Sequence, residues 1–493
     1  MSISLLAQVE KASATEDEEL DQECMELRNE IMQKWPYYFT SSDSSDPSDG
    51  NGYLDRKIES IPDGKHFIFI TDTHWKDNPS KRSTIIASYV SKRLGRCTVL
   101  FGGDAVNNAA NKNLATQELQ TYADGFFNAF GSHALWACGN HDANLAAVNS
   151  GRVSYTEGLI DDPDVYDCTI AKIAHLVSFD QDAIDALHKL DYIDKEQTKP
   201  ITDESRARGE AWLRLHYHYD DPSAKIRYIV FETGNGGRAL RELVQRITSY
   251  IIPLQFRWFA KVLLSTPADY DIIVLGHEWT DKDADSDALN MMKMVYSFME
   301  KSSVKINMRS QNTTKGTTFA RALCGTTAVR TFNFTTSNHK GRVIVLGGHF
   351  HKDAIFAMTG DEKLNIIDPI SNGGADFEED AVLSVITNTD NATRDVINKG
   401  VRPTKTGTTD EVCFDVMTLT DDGQLVMTRI GYGEDREVHI PTFGGTNIPT
   451  ITPQFTIDNA QLRDYFTLDG FKLNEKPSKK GVYVVKGKKM VVK

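Results

Sequence analysis

The 493-residue chain has no long apolar run. No stretch approaches the roughly 18 residues of a membrane-spanning helix, which excludes a helical span. Its six cysteines, Cys24, Cys97, Cys138, Cys168, Cys324 and Cys413, include no C-x-x-C pair. That excludes a zinc–thiolate site and a disulfide framework. Cys97 and Cys138 lie in or beside apolar strand-like runs and read as core residues. An excess of positive charge is also missing. The net charge of −14 disfavours nucleic acid as a general partner, while leaving room for a local basic cleft. Residues 1–8 (MSISLLAQ) have no basic n-region and too short an apolar core for a signal peptide. As written, the chain reads as soluble and cytoplasmic, or as exported if a signal precedes Met1. What remains is an ordinary soluble composition, 40% hydrophobic and 25% charged. It suffices for one large core with smaller appendages.

Leu20, Cys24, Leu27 and Ile31 recur at helical spacing, predicting an amphipathic helix over 16–34 that docks on the main domain. Residues 41–52 (SSDSSDPSDGNG) read as a flexible linker, so 1–52 form an N-terminal extension. From 53 to about 440 the pattern is that of a main domain. Apolar runs at 67–70, 98–101 and 134–138 alternate with helical patterns at 83–94 and 114–130. This spacing predicts βαβ units with mainly parallel pairing, an α/β fold. The pattern loosens over about 143–269, which reads as an insert of irregular or helical cover and a natural place for substrate selection. Within it, 225–232 is a strand paired with the run around 212–219. Regular strands return at 271–275 and 342–346, and 412–419 with 424–430 form a hairpin. Residues 441–493 read as a linker and a small lysine-rich β tail. A sharper reading of that tail is surface attachment or export.

The apolar runs end alike. Asp72 and His74 follow the first, Asp104 the second, Asn140 and His141 the third, His277 the fourth, and His349 and His351 the fifth. Strand alternation predicts that Asp72 and His74 point the same way. In open α/β sheets ligands bind beyond the C-terminal strand ends. Asp72, His74, Asp104, Asn140, His277, His349 and His351 are carboxylates, imidazoles and one carboxamide, with no thiolate. That donor set suits two divalent metal ions such as manganese, iron or zinc. Two such ions about 3.5–4 Å apart serve in-line phosphoryl displacement.

In order, the chain shows D72-T-H74, G103-D104, G139-N-H-D142, G276-H277 and G348-H-F-H351. Over about residues 64–436 this resembles the calcineurin-like metallophosphoesterase superfamily, in a bacterial or phage-type member. The resemblance implies a four-layer α/β/β/α sandwich and a dinuclear phosphohydrolase acting on phosphomonoesters or phosphodiesters. It implies that Asp72, His74 and His351 hold one metal, Asn140, His277 and His349 the other, and Asp104 bridges. The nucleophile would be a metal-bridging hydroxide. His141 would be the general acid or charge stabiliser at the leaving oxygen, with Asp142 orienting its ring. Departures fall around the ligands. Asn107 stands in the second motif, which changes a group behind the ligands and makes it a candidate substrate residue, and Trp279 follows His277-Glu278 where many relatives have His-His-Pro, so Trp279 is a candidate pocket wall.

Weaker candidates are weighed against plainer roles. Arg238 in Gly234-Asn235-Gly236-Gly237-Arg238 is a candidate phosphate clamp, although a plain loop is the simpler reading; Ser371-Asn372-Gly373-Gly374 is similar. Asp281, Asp283, Asp285 and Asp287 alternate as in a calcium loop, but Ser286 and Met292 break the EF-hand pattern and favour a solvated acidic loop. His216 and His218 share a strand face and read as cross-strand surface residues rather than a metal pair. Residues 431–436 (GYGEDR) resemble a stretch that closes some phage and bacterial members, with no mechanism apparent. Two other functions compete: a surface- or virion-associated binding protein with little catalysis, and a nuclease, which the charge disfavours. The sequence leaves oligomeric state open.

Overall fold

The computed structural model describes residues 2–39, 52–74, 79–194, 199–233, 253–278, 286–307, 329–360, 364–367, 381–387, 390, 407–441 and 443, and the strands between 465 and 492. The chain divides into two compact units, Met1–Gly444 and Gly445–Lys493.

In the first unit the helices used below are α1 (Ser2–Lys34), α2 (Pro79–Arg93), α3 (Lys112–Phe130), α4 (Pro253–Leu264) and α5 (Ser286–Met299). The strands are β1 (Lys65–Ile70), β2 (Thr98–Phe101), β3 (Ala134–Trp136), β4 (Tyr217–Asp221), β5 (Ile226–Val230), β6 (Asp271–Leu275), β7 (Val343–Gly347), β8 (Ala354–Thr359), β9 (Leu364–Ile367), β10 (Ala381–Ile386), β11 (Cys413–Leu419), β12 (Gln424–Gly431) and β13 (Arg436–His439). They form two mixed sheets, ordered β13-β12-β11-β1-β2-β3 and β9-β8-β10-β7-β6-β5-β4. Within the first, β1, β2 and β3 run parallel, and β11 joins β1 antiparallel. Within the second, β5, β6, β7 and β10 run parallel. Strands β4 and β5, inside the stretch read as an insert, thus belong to the second sheet, with β4 antiparallel on its edge.

The layers follow from strand periodicity. On β6 and β7, Ile273, Leu275, Ile344 and Leu346 face the first sheet and share one core with Phe67 and Phe69. The Phe67 ring meets Tyr228 edge-on at 6.1 Å, across the two sheets. The alternate residues Ile272, Val274, Val343 and Val345 pack on Phe256, Phe259, Met291, Met294 and Val295 of α4 and α5. On the far side, Phe101 of β2 packs on Tyr122 and Phe126 of α3, both at 5.5 Å. The result is helix, sheet, sheet, helix. Helix α3 starts at Asn111, whose side chain accepts a hydrogen bond from the Leu114 amide.

Helix α1 is held against α2 and the short helix Tyr53–Glu59 by polar contacts. Arg28 pairs with Asp55 at 2.8 Å, and Glu23 with Lys92 at 2.8 Å and Arg96 at 2.9 Å. His216 is corrected from a surface residue to a core one. It is 1% exposed, its ring lies 4.8 Å from Trp258, and burial pushes its pKa down to about 3, so it is a neutral packing group. His218 is half-buried. Among the described residues no helix is long and apolar enough to cross a membrane. The second unit is a four-stranded antiparallel sheet of Tyr465–Thr467, Lys472–Leu473, Gly481–Val485 and Lys488–Val492.

Candidate metal centre

The C-terminal ends of β1, β2, β3, β6 and β7 meet along one edge shared by both sheets. Each is followed by a loop carrying one to three of the motif's polar residues. The expected strand alternation is not what aims them. Strand β1 ends at Ile70, and Asp72 and His74 lie in the left-handed region at φ 54° and 42°. Nine described non-glycine residues have positive φ, and five of them are here: Asp72, His74, Asp104 (57°), His349 (70°) and His351 (53°). Such conformations cost about 1–3 kcal/mol each and persist where the surroundings over-determine them. Here backbone bonds do so. The Asp72 and His74 amides donate to the Gly103 and Asp104 carbonyls, each at 2.9 Å. The His349 amide donates to Asp72 Oδ2 at 2.9 Å, and Thr71 Oγ1 to the same oxygen at 2.7 Å.

Close approach at Gly348 lets the β7 loop reach β1. A Cβ there would sit 2.1 Å from Thr71 Oγ1 and 2.4 Å from Asp72 Oδ2. Gly348→Ala is therefore expected to displace Asp72 and to lower metal uptake, with the far-UV circular dichroism spectrum unchanged. Metal analysis showing wild-type uptake would contradict this steric argument.

Three overlapping groups could each hold a metal ion: Asp72, His74 and His351; His74, Asp104 and His141; and Asp104, His277 and His349. Within each, the ligand atoms lie within 4.8 Å of one another. Asp104 uses Oδ1 to accept the His141 amide at 2.7 Å. Its Oδ2 lies 3.0 Å from His277 Nε2, 3.7 Å from His74 Nε2 and 3.9 Å from His141 Nε2. Asp72 Oδ1 lies 3.3 Å from His351 Nε2 and 3.8 Å from His74 Nε2. Asn140 Oδ1 is 3.2 Å from His349 Nδ1. All seven expected ligands are therefore drawn together.

The centre is organised to receive cations. His277 is fully buried, and its Nδ1 donates to the Gly102 carbonyl at 2.8 Å. In a neutral ring that leaves Nε2 a lone pair. This atom faces the Asp104 carboxylate at 3.0 Å. Two facing lone pairs need a cation between them, a proton or a metal. The same demand appears in the protonation equilibria. Burial raises the Asp72 and Asp104 carboxyls, but the surrounding imidazoles, His277 foremost, outweigh it and hold both well below the usual range. Burial lowers His277, but Asp104 and Asp72 outweigh it and raise it well above its ordinary value. Hard oxygen and borderline imidazole donors without sulfur fit the first-row divalent ions.

Two expectations are revised. Asp142 does not orient the His141 ring. It is buried, and its oxygens accept the Ala105 amide at 2.7 Å and the Gly139 amide at 2.9 Å, so it ties the β2 and β3 loops together. Burial, then repulsion from Asp104, pushes it up to about 6. Asn107 is half-buried and accepts the amide of Asn108 at 2.8 Å; among the described residues no hydrogen bond joins it to the ligands. Arg238, Trp279, Asp281, Asp283, Asp285 and the two glycine-rich stretches at 234–238 and 371–374 lie outside the described residues, and Asp287 is the second residue of α5. Thr71 and Thr233 escaped sequence reasoning. Thr233 Oγ1 accepts the amides of His277 and Glu278 at 3.1 and 2.8 Å and so fixes the fourth loop. A lone threonine after a strand carries no signal of such a role.

No protein-family model matches the chain, and no curated protein matches it. Among solved structures, a dimetal phosphatase from Danio rerio is similar with a TM-score of 0.40 and 11% identity, over 77% of this chain and 100% of that one.

Proposed function

We propose that the chain is a metal-dependent phosphohydrolase with a two-cation centre. Asp72, His74 and His351 would hold one cation, Asn140, His277 and His349 the other, with Asp104 shared. The observation that carries this is the position of Asp104. It belongs to two overlapping ligand groups, and its Oδ2 faces imidazoles from three different loops. The motif order and spacing that resemble the metallophosphoesterases support the same reaction class. Bound divalent cations supply Lewis acidity, which neutralises phosphoryl oxygens and lowers the pKa of water from 15.7 to about 7. The protein's part is to hold the ligands rigidly, which the left-handed loops and their backbone bonds do, and to handle the leaving group.

His141 suits the latter task. It is 17% exposed, the Nδ1 of its ring has no hydrogen-bond partner among the described residues, and the ring meets His74 edge-on at 4.5 Å. Burial pushes its pKa down to about 4 against the pull of Asp104 and Asp72. An anionic phosphate ester beside it would raise it, making a proton available at the leaving oxygen. His141→Ala is expected to lower kcat by about 10²–10⁴-fold, the usual worth of general acid catalysis, with metal content unchanged. Loss of metal together with turnover would make His141 a ligand instead. The function itself is tested by assaying purified protein, with manganese, iron or zinc, on p-nitrophenyl phosphate and bis(p-nitrophenyl) phosphate. Turnover of either is expected, their ratio separates monoesterase from diesterase, and inactivity on both with every metal would reject the proposal.

A further inference from the structure

Four charged side chains are packed together beside the His349 and His351 loop. Arg429 and Asp415 are fully buried, Arg436 is 1% exposed and Asp353 is 25% exposed. Arg429 grips both acids. Its guanidinium reaches Asp353 Oδ1 at 2.6 Å and Oδ2 at 3.3 Å, and Asp415 Oδ1 at 2.7 Å and Oδ2 at 3.2 Å. Arg436 also bonds both, meeting Asp353 at 3.2 Å and donating to Asp415. Asp415 in turn accepts Thr387 Oγ1 at 2.7 Å, and the Thr387 amide donates to the Gly347 carbonyl at 3.2 Å, at the end of β7. The cluster therefore ties the C-terminal hairpin of the first sheet to both ends of the metal-ligand loop of the second. The stretch 431–436 has its explanation here. Gly433, at φ 109°, lies where a Cβ would come within 2.8 Å of Arg429 Nη1, and the Tyr432 carbonyl accepts from the same atom at 2.9 Å.

A buried ion cluster is a poor device for stability, since well-packed apolar groups serve as well or better. It is a good device for fixing one geometry. His351 needs that, because its backbone is left-handed and Asp353 is only two residues further on. We propose that Asp353, clamped by Arg429 and Arg436, is a positioning residue that sets the affinity of the cation group containing His351. This rests on the two-cation reading above. Groups that orient metal ligands typically change metal affinity by about 10–100-fold when removed.

The test is calorimetric titration of manganese into metal-free full-length protein, comparing wild type, Asp353→Ala and Asp353→Asn. Wild type is expected to show two binding steps. In Asp353→Ala one step weakens by about 10–100-fold and the other is retained, while the thermal unfolding midpoint of the metal-free protein falls, because Arg429 and Arg436 then share Asp415. Asp353→Asn, which keeps an acceptor but loses the charge, falls between. If both steps in Asp353→Ala match wild type, or both weaken equally, the positioning role is wrong. A wild type that binds no cation overturns the reading of the centre and this inference with it.

Discussion

Asp104→Ala is expected to remove turnover and to reduce bound metal from two ions to fewer than one. Of the two ligand carboxylates, Asp72 stands in one of the three groups and Asp104 in two, on the sides of both His74 and His277. The Asp104 Oδ2 lies within 4 Å of three imidazole nitrogens, and its Oδ1 holds the amide of His141. Truncation also leaves the Asp72 carboxylate as the chief counter-charge for His277. Electrostatic stabilisation by metal is worth several kcal/mol at the transition state, so the rate should fall by about 10³-fold or more. Plasma emission analysis and steady-state kinetics on one preparation read both effects. Full metal content with lost turnover would move Asp104 from ligand to orienting group.

Arg429→Ala carries the largest expected effect on stability. The guanidinium is fully buried between two acids, and its loss leaves Asp415 buried with Arg436 alone. Breaking such a pair costs about 3–5 kcal/mol, because the remaining charge stays desolvated. Urea unfolding of the metal-free protein measures it. The pH dependence adds a second signature. Burial raises the Asp415 carboxyl, and Arg429 and Arg436 more than reverse this, so it titrates below the usual range. A carboxyl lowered in the folded state contributes stability that is fully present above its unfolded pKa of about 3.9. That contribution is lost as pH falls through the lower folded value. The variant should therefore lose less stability than wild type as pH drops below about 4. An equal acid slope in both proteins would mean that Arg429 does not set the Asp415 equilibrium.

How much of this was legible beforehand depends on the range of each interaction. Buried strands such as Phe67 to Ile70 are continuous apolar runs, and the polar residues that end them stand out against that background. The seven candidate ligands were legible for this reason, although His74 and His351 are 277 residues apart. Strand alternation does not aim Asp72 and His74. Alternation is a property of strands, and Asp72 and His74 lie beyond the strand in a conformation that no side chain type announces. Neighbours in sequence also misled. Asp142 stands next to His141, yet its carboxylate turns to the amides of Gly139 and Ala105. His216 alternates with other polar residues as a surface strand would, but Trp258 covers it. The Arg429 clamp on Asp353 spans 76 residues and two sheets, and no local pattern reports such a pair.

The central claim is tested most directly by the initial rate of phosphate-ester hydrolysis as manganese is added, equivalent by equivalent, to chelator-treated protein. A two-cation centre built around Asp104 predicts no turnover without metal and a rate that rises to a plateau at two equivalents. A plateau at one equivalent, or the same rate with and without metal, would contradict it.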